Sequence, residues 1–502
     1  MSIRTDVAQG NWNRASKGGV RPAVIDGMVV IAYLGSVLAI GWRSRRQSPE
    51  SYWVADRRYS ASTVAVSLVA TIFGASSTIG IIGLGYARGL TAAWWSLIGA
   101  VALVPFGLFL AARVRALEVY TLPDILKKAY GNRVAVPAAV VIAIAWCGVV
   151  AAQMTAGALL MSGILALDYA SALAVVAVAF ILYTYWGGQL SVIRTDSWQL
   201  ALFVGGLAVC LALLSMASRG HAPAGGIPEG HFAFPVSQGF GWYDLVVFYP
   251  LIVGLPYLAG PDIYSRVLCA RDTVAARNAA LVGAAAVVPI SFLLAFLGML
   301  IRARFPTIAP ETALPTAVGQ LVPAGLAGLV VAGFLAAVMS SADTTLISVS
   351  TILSLNVFGA GNRLSRERQL RLTRLALVGV GGVAWAIAGF ERGIISALLL
   401  GYTVFVGGVV FPTLATFLRD RVRIAPSVAM TAVIVGGATA VLGALRDGAL
   451  LAGMLGPADG PLIRLLGPRY PALLPVLLSL GILALGAALG RVFSGRICAV
   501  GE

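Results

Sequence analysis

The chain has 502 residues, 59% of them hydrophobic and 11% charged, with a net charge of +16. A soluble domain carries about 25% charged residues, so this composition, with a mean hydropathy of +0.91, excludes a mostly water-facing surface. The basic residues sit in short loops between apolar runs, a pattern that orients membrane helices. It lacks the basic stripe with interleaved aromatics that would bind nucleic acid.

A membrane crossing needs about 20 mostly apolar residues, and thirteen such spans follow in chain order. They are residues 23–42, 61–88, 91–115, 135–165, 169–186, 190–217, 241–267, 278–302, 323–357, 373–390, 392–417, 425–445 and 471–490. Two of the divisions are slight, at Trp186-Gly187-Gly188-Gln189 and at Glu391-Arg392. Residues 1–22 are polar and the first apolar run lacks a small-residue cleavage site, so that helix is expected to be retained. The reading is one membrane domain over 23–490, with tails at 1–22 and 491–502 and no appended sensor-kinase module.

Alternate loops divide the positive charge unequally. One set, from Arg43, Arg45 and Arg46 through Lys127 and Lys128 to Arg419, Arg421 and Arg423, carries 24 of the 36 Lys and Arg residues. Positive-inside orientation puts that set in the cytoplasm. The N-terminus is then outside, the C-terminus inside, and the Gly/Pro-rich run 218–240 is an external loop. No Lys or Arg is expected deep in the core.

Two spans carry breaks. Gly74 to Gly80 in the second is small and polar at mid-membrane, and Gly254 to Pro261 in the seventh holds two prolines, which remove backbone donors. Such breaks either kink helices for packing or line a cavity. Set five helices apart, they match an inverted repeat of five plus five helices with its binding site at the breaks.

Carboxylates inside a bilayer are costly and hence functional candidates. Asp196 opens the sixth span and Asp343 lies in the ninth, while Asp262 reads as an interfacial ion pair with a nearby arginine. In the ninth span Ala337, Ser340, Ser341 and Thr344 share one helix face. Their oxygens suit a hard cation such as sodium, or else pack helices closely. The four cysteines fit no metal motif. The only histidines, His221 and His231, are read as solvated loop residues, with Glu229 the acid nearest them. No phosphate loop, zinc motif or nucleophile elbow marks an enzyme. A membrane-embedded enzyme or a sensor built on a transporter fold is a remote alternative.

At these residues the chain resembles the sodium:solute symporter family. The resemblance runs from Tyr52-Trp53-Val54-Ala55-Asp56-Arg57-Arg58 and Ser67-Leu68-Val69-Ala70-Thr71 through Gly85-Tyr86-Ala87-Arg88-Gly89-Leu90. It continues in Thr121-Leu122-Pro123-Asp124, Gly187-Gly188, Thr195-Asp196, Gln199 and Ser265-Arg266, and ends in Ala336 to Asp343. It implies an all-α LeuT-type fold, the five-plus-five core spanning about 61–417 with one helix before and two after. It also implies a symporter in the cell's inner (plasma) membrane that couples uptake of a small polar solute to sodium, with no obligate protein partner evident.

Family sodium ligands map onto the carbonyls of Ala70, Phe73 and Ala337 and the hydroxyls of Ser340 and Ser341. A second sodium site found in some members maps onto Asp196, Ser340, Asp343 and Thr344. From their positions, Ser76, Ser77, Thr78, Gln153, Tyr257 and Tyr402 are the expected solute-binding residues. The chain departs from relatives at Ile72 and Gly74, and the apolar Ile252 and Leu255 argue against a sugar. Proton coupling through Asp196 or Asp343 is the alternative on the same fold.

Overall fold

The computed structural model describes residues 20–165, 167–219, 226–360, 364–390, 393–444 and 470–499. Most of the N-terminal tail, His221 and the Glu391-Arg392 boundary lie outside the described residues.

The described chain is helical throughout. α1 (Val20–Arg43), the short α2 (Pro49–Val54) and α3 (Ala61–Ile72) come first. After a break the chain rewinds through a wide π-type turn, Ser76–Gly80, into α4 (Ile81–Arg88). Next are α5 (Trp94–Pro105), α6 (Ala111–Ala116), the amphipathic α7 (Leu122–Tyr130), α8 (Asn132–Ile164) and α9 (Tyr169–Arg219). α10 (Leu255–Ala259), α11 (Pro261–Val267), α12 (Thr273–Arg304), α13 (Ala313–Leu321) and α14 (Leu326–Ile352) follow. α15 (Arg366–Phe390), α16 (Ile394–Phe405), α17 (Phe411–Thr416), α18 (Pro426–Ala444) and α19 (Tyr470–Ala499) complete the fold.

Eleven helical segments among the described residues are long and apolar enough to cross a bilayer. Two of them reverse direction internally. α9 has 51 residues, about 77 Å if straight. Yet the hydroxyls of Tyr183 and Thr195 lie 2.7 Å apart, whereas twelve residues of straight helix separate backbones by about 18 Å. The reversal falls at Gly188, whose φ of 54° and ψ of −169° belong to a region essentially reserved for glycine.

The second reversal lies between α4 and α5. Leu68 faces Gly283 and Ile82 faces Gly298, so α3 and α4 run parallel to α12. Gly107, beyond α5, faces Leu281. The chain therefore turns back at the 3-10 turn Gly89–Ala93.

Large apolar side chains such as Ile31, Phe109 and Leu375 stand more than 60% exposed, the belt a bilayer covers. At the centre the polarity inverts. Most of the span Leu326–Phe358 is buried, and it still carries Ser340, Ser341, Asp343, Thr344 and Thr345. A helix this polar can be buried only if its groups find partners, and those partners form the site.

The two breaks are narrower than expected. In the second span only Phe73 to Ala75 leave the helix, and Ser76 to Gly80 are wound. In the seventh the chain straightens at Gly260 alone (φ −66°, ψ 133°). Pro261 sits in the first turn of α11, where a missing N–H costs nothing, whereas Pro256 lies inside a helix that runs on from the π-type segment Asp244–Gly254.

Candidate ion and solute site

α3 ends at Ile72, and Phe73 takes a non-helical ψ of 56°. A helix end leaves its last four carbonyls without partners inside the helix and concentrates partial negative charge there. Gly74 then passes directly under α14. A Cβ at this position would lie 2.5 Å from Ser341 Oγ and 2.6 Å from Gln153 Nε2, so only glycine allows this approach. Gln153 ties the three elements together. Its Nε2 donates to Ser341 Oγ (3.0 Å) and its Oε1 accepts the Ala75 N–H (2.7 Å). The Phe73 ring lies against Phe203, which packs on Phe334 of α14. Ala70, Phe73 and Ala337 are all buried. A helix end with free carbonyls thus abuts a serine hydroxyl, the donor chemistry a hard cation requires.

Ser340, one residue earlier, points elsewhere. Its hydroxyl donates to Asp196 Oδ1 (2.6 Å), and Ser67 donates to Oδ2. The surprise is Arg266, which is fully buried. Its Nη2 lies 3.4 Å from Asp196 Oδ2, its Nε donates to Thr71 Oγ1 (2.9 Å), and Nη2 also donates to Thr344 Oγ1. The expectation that no Lys or Arg lies deep in the core is therefore corrected. Arg266 belongs to the interior because Asp196 needs a countercharge there. Its guanidinium is the cation among Asp196, Ser340 and Thr344 in this conformation. Asp343 stands apart from the pair. Thr184 donates to its Oδ1 (2.7 Å), while Oδ2 and Arg266 Nη1 are buried without a partner among the described residues.

Beside the break is a small pocket, lined by Ser76, Ser77, Gln153, Tyr257, Tyr402 and Ser341 among others. Thr78 does not line it, because its hydroxyl donates to the Gly74 carbonyl at 2.7 Å. Ile252 and Leu255 do not line it either, but Asp262 does. Asp262 is not in the expected ion pair, since Arg266, the nearest arginine in sequence, pairs with Asp196. A second, smaller pocket lies beyond α11, lined by Trp53, Tyr120, Pro261, Ser265 and Ser348 among others. α11 therefore separates the two spaces.

On the arginine-rich face, beside the second cavity, a latch gathers three segments. Glu50 accepts from Tyr120 (2.6 Å) and Arg57 (3.4 Å), and Arg366 lies 3.6 Å from it and donates to Tyr120 (2.6 Å). Burial and the Glu50 carboxylate raise the Tyr120 phenol above its ordinary range, so it stays a donor. Replacing Glu50 by Gln should weaken this closure by about 1 kcal/mol, about a five-fold rise in the open population. The readout is the rate at which Ser265→Cys, in a background without native cysteines, reacts with an impermeant thiol reagent from that face. An unchanged rate would refute the latch.

On the opposite face the described half of the 218–240 loop closes over the Gly89 turn. His231 accepts the Leu90 N–H at 2.8 Å through its carbonyl, and its ring lies 3.3 Å from the Tyr86 carbonyl. It is half-buried rather than solvated.

Two discontinuous helices and a buried polar helix beside a pocket define a fold of the LeuT type. A Na+-coupled sialic acid symporter, solved substrate-bound and outward-open, matches with a TM-score of 0.75 over 93% of this chain and 97% of that one, at 17% identity. A nucleobase-cation-symport-1 family transporter in a closed conformation matches at 0.50, over 89% and 96%, with 12% identity. The chain belongs to the sodium:solute symporter family, whose model matches residues 52–436. Human sodium/glucose cotransporter 4 is 27% identical over 387 residues, which take in 68% of this chain and 57% of the relative. Mouse sodium/myo-inositol cotransporter 2 is 27% identical over 390 residues, 68% of this chain and 58% of the relative. The chain thus matches less than two thirds of the length of these relatives.

Proposed function

We propose that this protein imports a small polar organic solute, such as a carboxylate, amino acid or similar metabolite, together with sodium by alternating access. The observation that carries the reading is the approach of the Phe73–Ala75 break to Ser341. In this reading sodium binds the carbonyls of Ala70, Phe73 and Ala337 and the hydroxyl of Ser341, and Ser340 joins them when its hydroxyl turns from Asp196. The solute sits beside it in the cavity near Ser76, Ser77, Gln153, Tyr257 and Tyr402. Sodium joins the broken helix to α14, and its release to the low-sodium side lets them separate. Moving one charge down the membrane potential adds about 2.3 kcal/mol per 100 mV.

The proposal places thirteen crossings in the cell's inner (plasma) membrane, the N-terminus outside and the arginine-rich loops and C-terminus inside. One membrane domain covers 23–490, with an inverted-repeat core at about 61–417. A second ion, sodium or a proton, is the other reading at Asp196, Asp343 and Thr344. The unpartnered Oδ2 of Asp343 favours it. The position of Arg266 opposes a sodium there unless the guanidinium moves.

The test is uptake. Proteoliposomes loaded with potassium and placed in sodium medium with a labelled mixture of small metabolites should accumulate at least one of them. Accumulation should stop when potassium replaces sodium. Uptake driven by a pH gradient without sodium would overturn sodium coupling.

A further inference from the structure

Asp262 is the acid the transport reading leaves unused, and its setting speaks to the solute. It lies in the first turn of α11. It lines the first pocket together with Tyr257 and Tyr402. No Lys or Arg lines that cavity, and no arginine or lysine lies within ion-pair distance of Asp262 among the described residues. The one nearby cation, Arg266, is committed to Asp196.

Charge balance sharpens the point. Asp262 lies at the break in the seventh span, and the guanidinium four residues on is spent on Asp196. The Asp262 carboxylate is therefore left without a paired cation among the described residues. Uncompensated charge in a low-dielectric site is costly, and a cation on the solute removes the deficit. Two tyrosine rings in the same lining suit a cation as well, since aromatic faces attract organic ammonium groups.

We propose that the solute is a small organic amine, cationic or zwitterionic, whose positive charge is met by Asp262 between Tyr257 and Tyr402. This rests on the transport reading above and narrows its solute class. In a zwitterion the carboxylate end faces the sodium.

The test separates charge from shape. Purified protein in sodium is screened by thermal shift against a panel of small amines, including choline and alanine, each paired with an uncharged isostere. 3,3-Dimethyl-1-butanol serves for choline, and lactate and myo-inositol represent anions and polyols. At least one amine should stabilise the protein at ten-fold or lower concentration than its isostere, and Asp262→Asn should remove that preference. The sodium response itself should persist in Asp262→Asn, which shows that the variant is folded and that the cage is separate. Binding of polyols or anions alone, silence from every amine, or an amine preference unchanged in Asp262→Asn would each overturn the proposal. Loss of the sodium response in the unaltered protein would instead count against sodium coupling.

Discussion

Sodium should stabilise the purified protein where potassium at equal ionic strength does not, and Ser341→Ala should abolish the difference. A ligand that binds only the folded state adds about 2.7 kcal/mol at a hundred times its dissociation constant. Above that constant each decade of sodium should add about 1.4 kcal/mol. Ser341 is the sensitive position because it is the hydroxyl that Gly74 approaches. The substitution also removes the acceptor for Gln153 Nε2, so the variant should be less stable in potassium as well. The diagnostic quantity is therefore the sodium-minus-potassium difference, measured by thermal unfolding over a sodium titration. Equal curves in the two salts for the unaltered protein would refute the cage.

Why Ser341 was readable from the sequence and Arg266 was not is a matter of range. Ser340, Ser341 and Thr344 fall on one face of one helix, and helical spacing reveals that locally. The breaks announce themselves through Gly74, Pro256 and Pro261. Their true widths do not, because a π-type turn lets Ser76–Gly80 stay wound while looking like loop chemistry. Arg266 meets Thr71 across 195 positions and Thr344 across 78, and such pairings leave no periodic trace. Near the end of an apolar run, an arginine reads as the membrane boundary. One signal was available: two intramembrane acids without a countercharge call for a cation, and Arg266 is the arginine next to a break.

Asp262 was misread for the same reason. Four residues before an arginine it resembles half of a helical ion pair, but that arginine is turned toward α9 and α14. The latch is harder still. Glu50, Tyr120 and Arg366 come from three separate surface segments, each unremarkable alone. The membrane class was legible through composition and hydropathy, since hydropathy is summed over many residues, while the fold itself was legible through the family resemblance. The site was legible only where its parts lie along one helix.

The largest effect of a single substitution is expected at Arg266. Both members of the Arg266–Asp196 pair are fully buried, and removing one partner of such a pair costs about 3–5 kcal/mol because the other is left uncompensated. Arg266→Met should therefore lower the unfolding free energy in mixed micelles by about that amount in potassium. Asp196→Asn introduced alongside it should restore most of the loss, since no charge then remains to be matched. The sodium arm is the informative one. With the guanidinium gone, Asp196 Oδ1 and Oδ2 retain the hydroxyls of Ser340 and Ser67, and Thr344 loses its donor. These oxygens then form an anionic nest for a small cation. Sodium should rescue Arg266→Met more strongly than it stabilises the unaltered protein, and this added rescue should disappear in the double variant. Rescue of that form means that Arg266 holds the place of a second ion. Equal loss in sodium and potassium would mean that the guanidinium is structural and the cluster takes no sodium. No loss at all would contradict the burial of the pair.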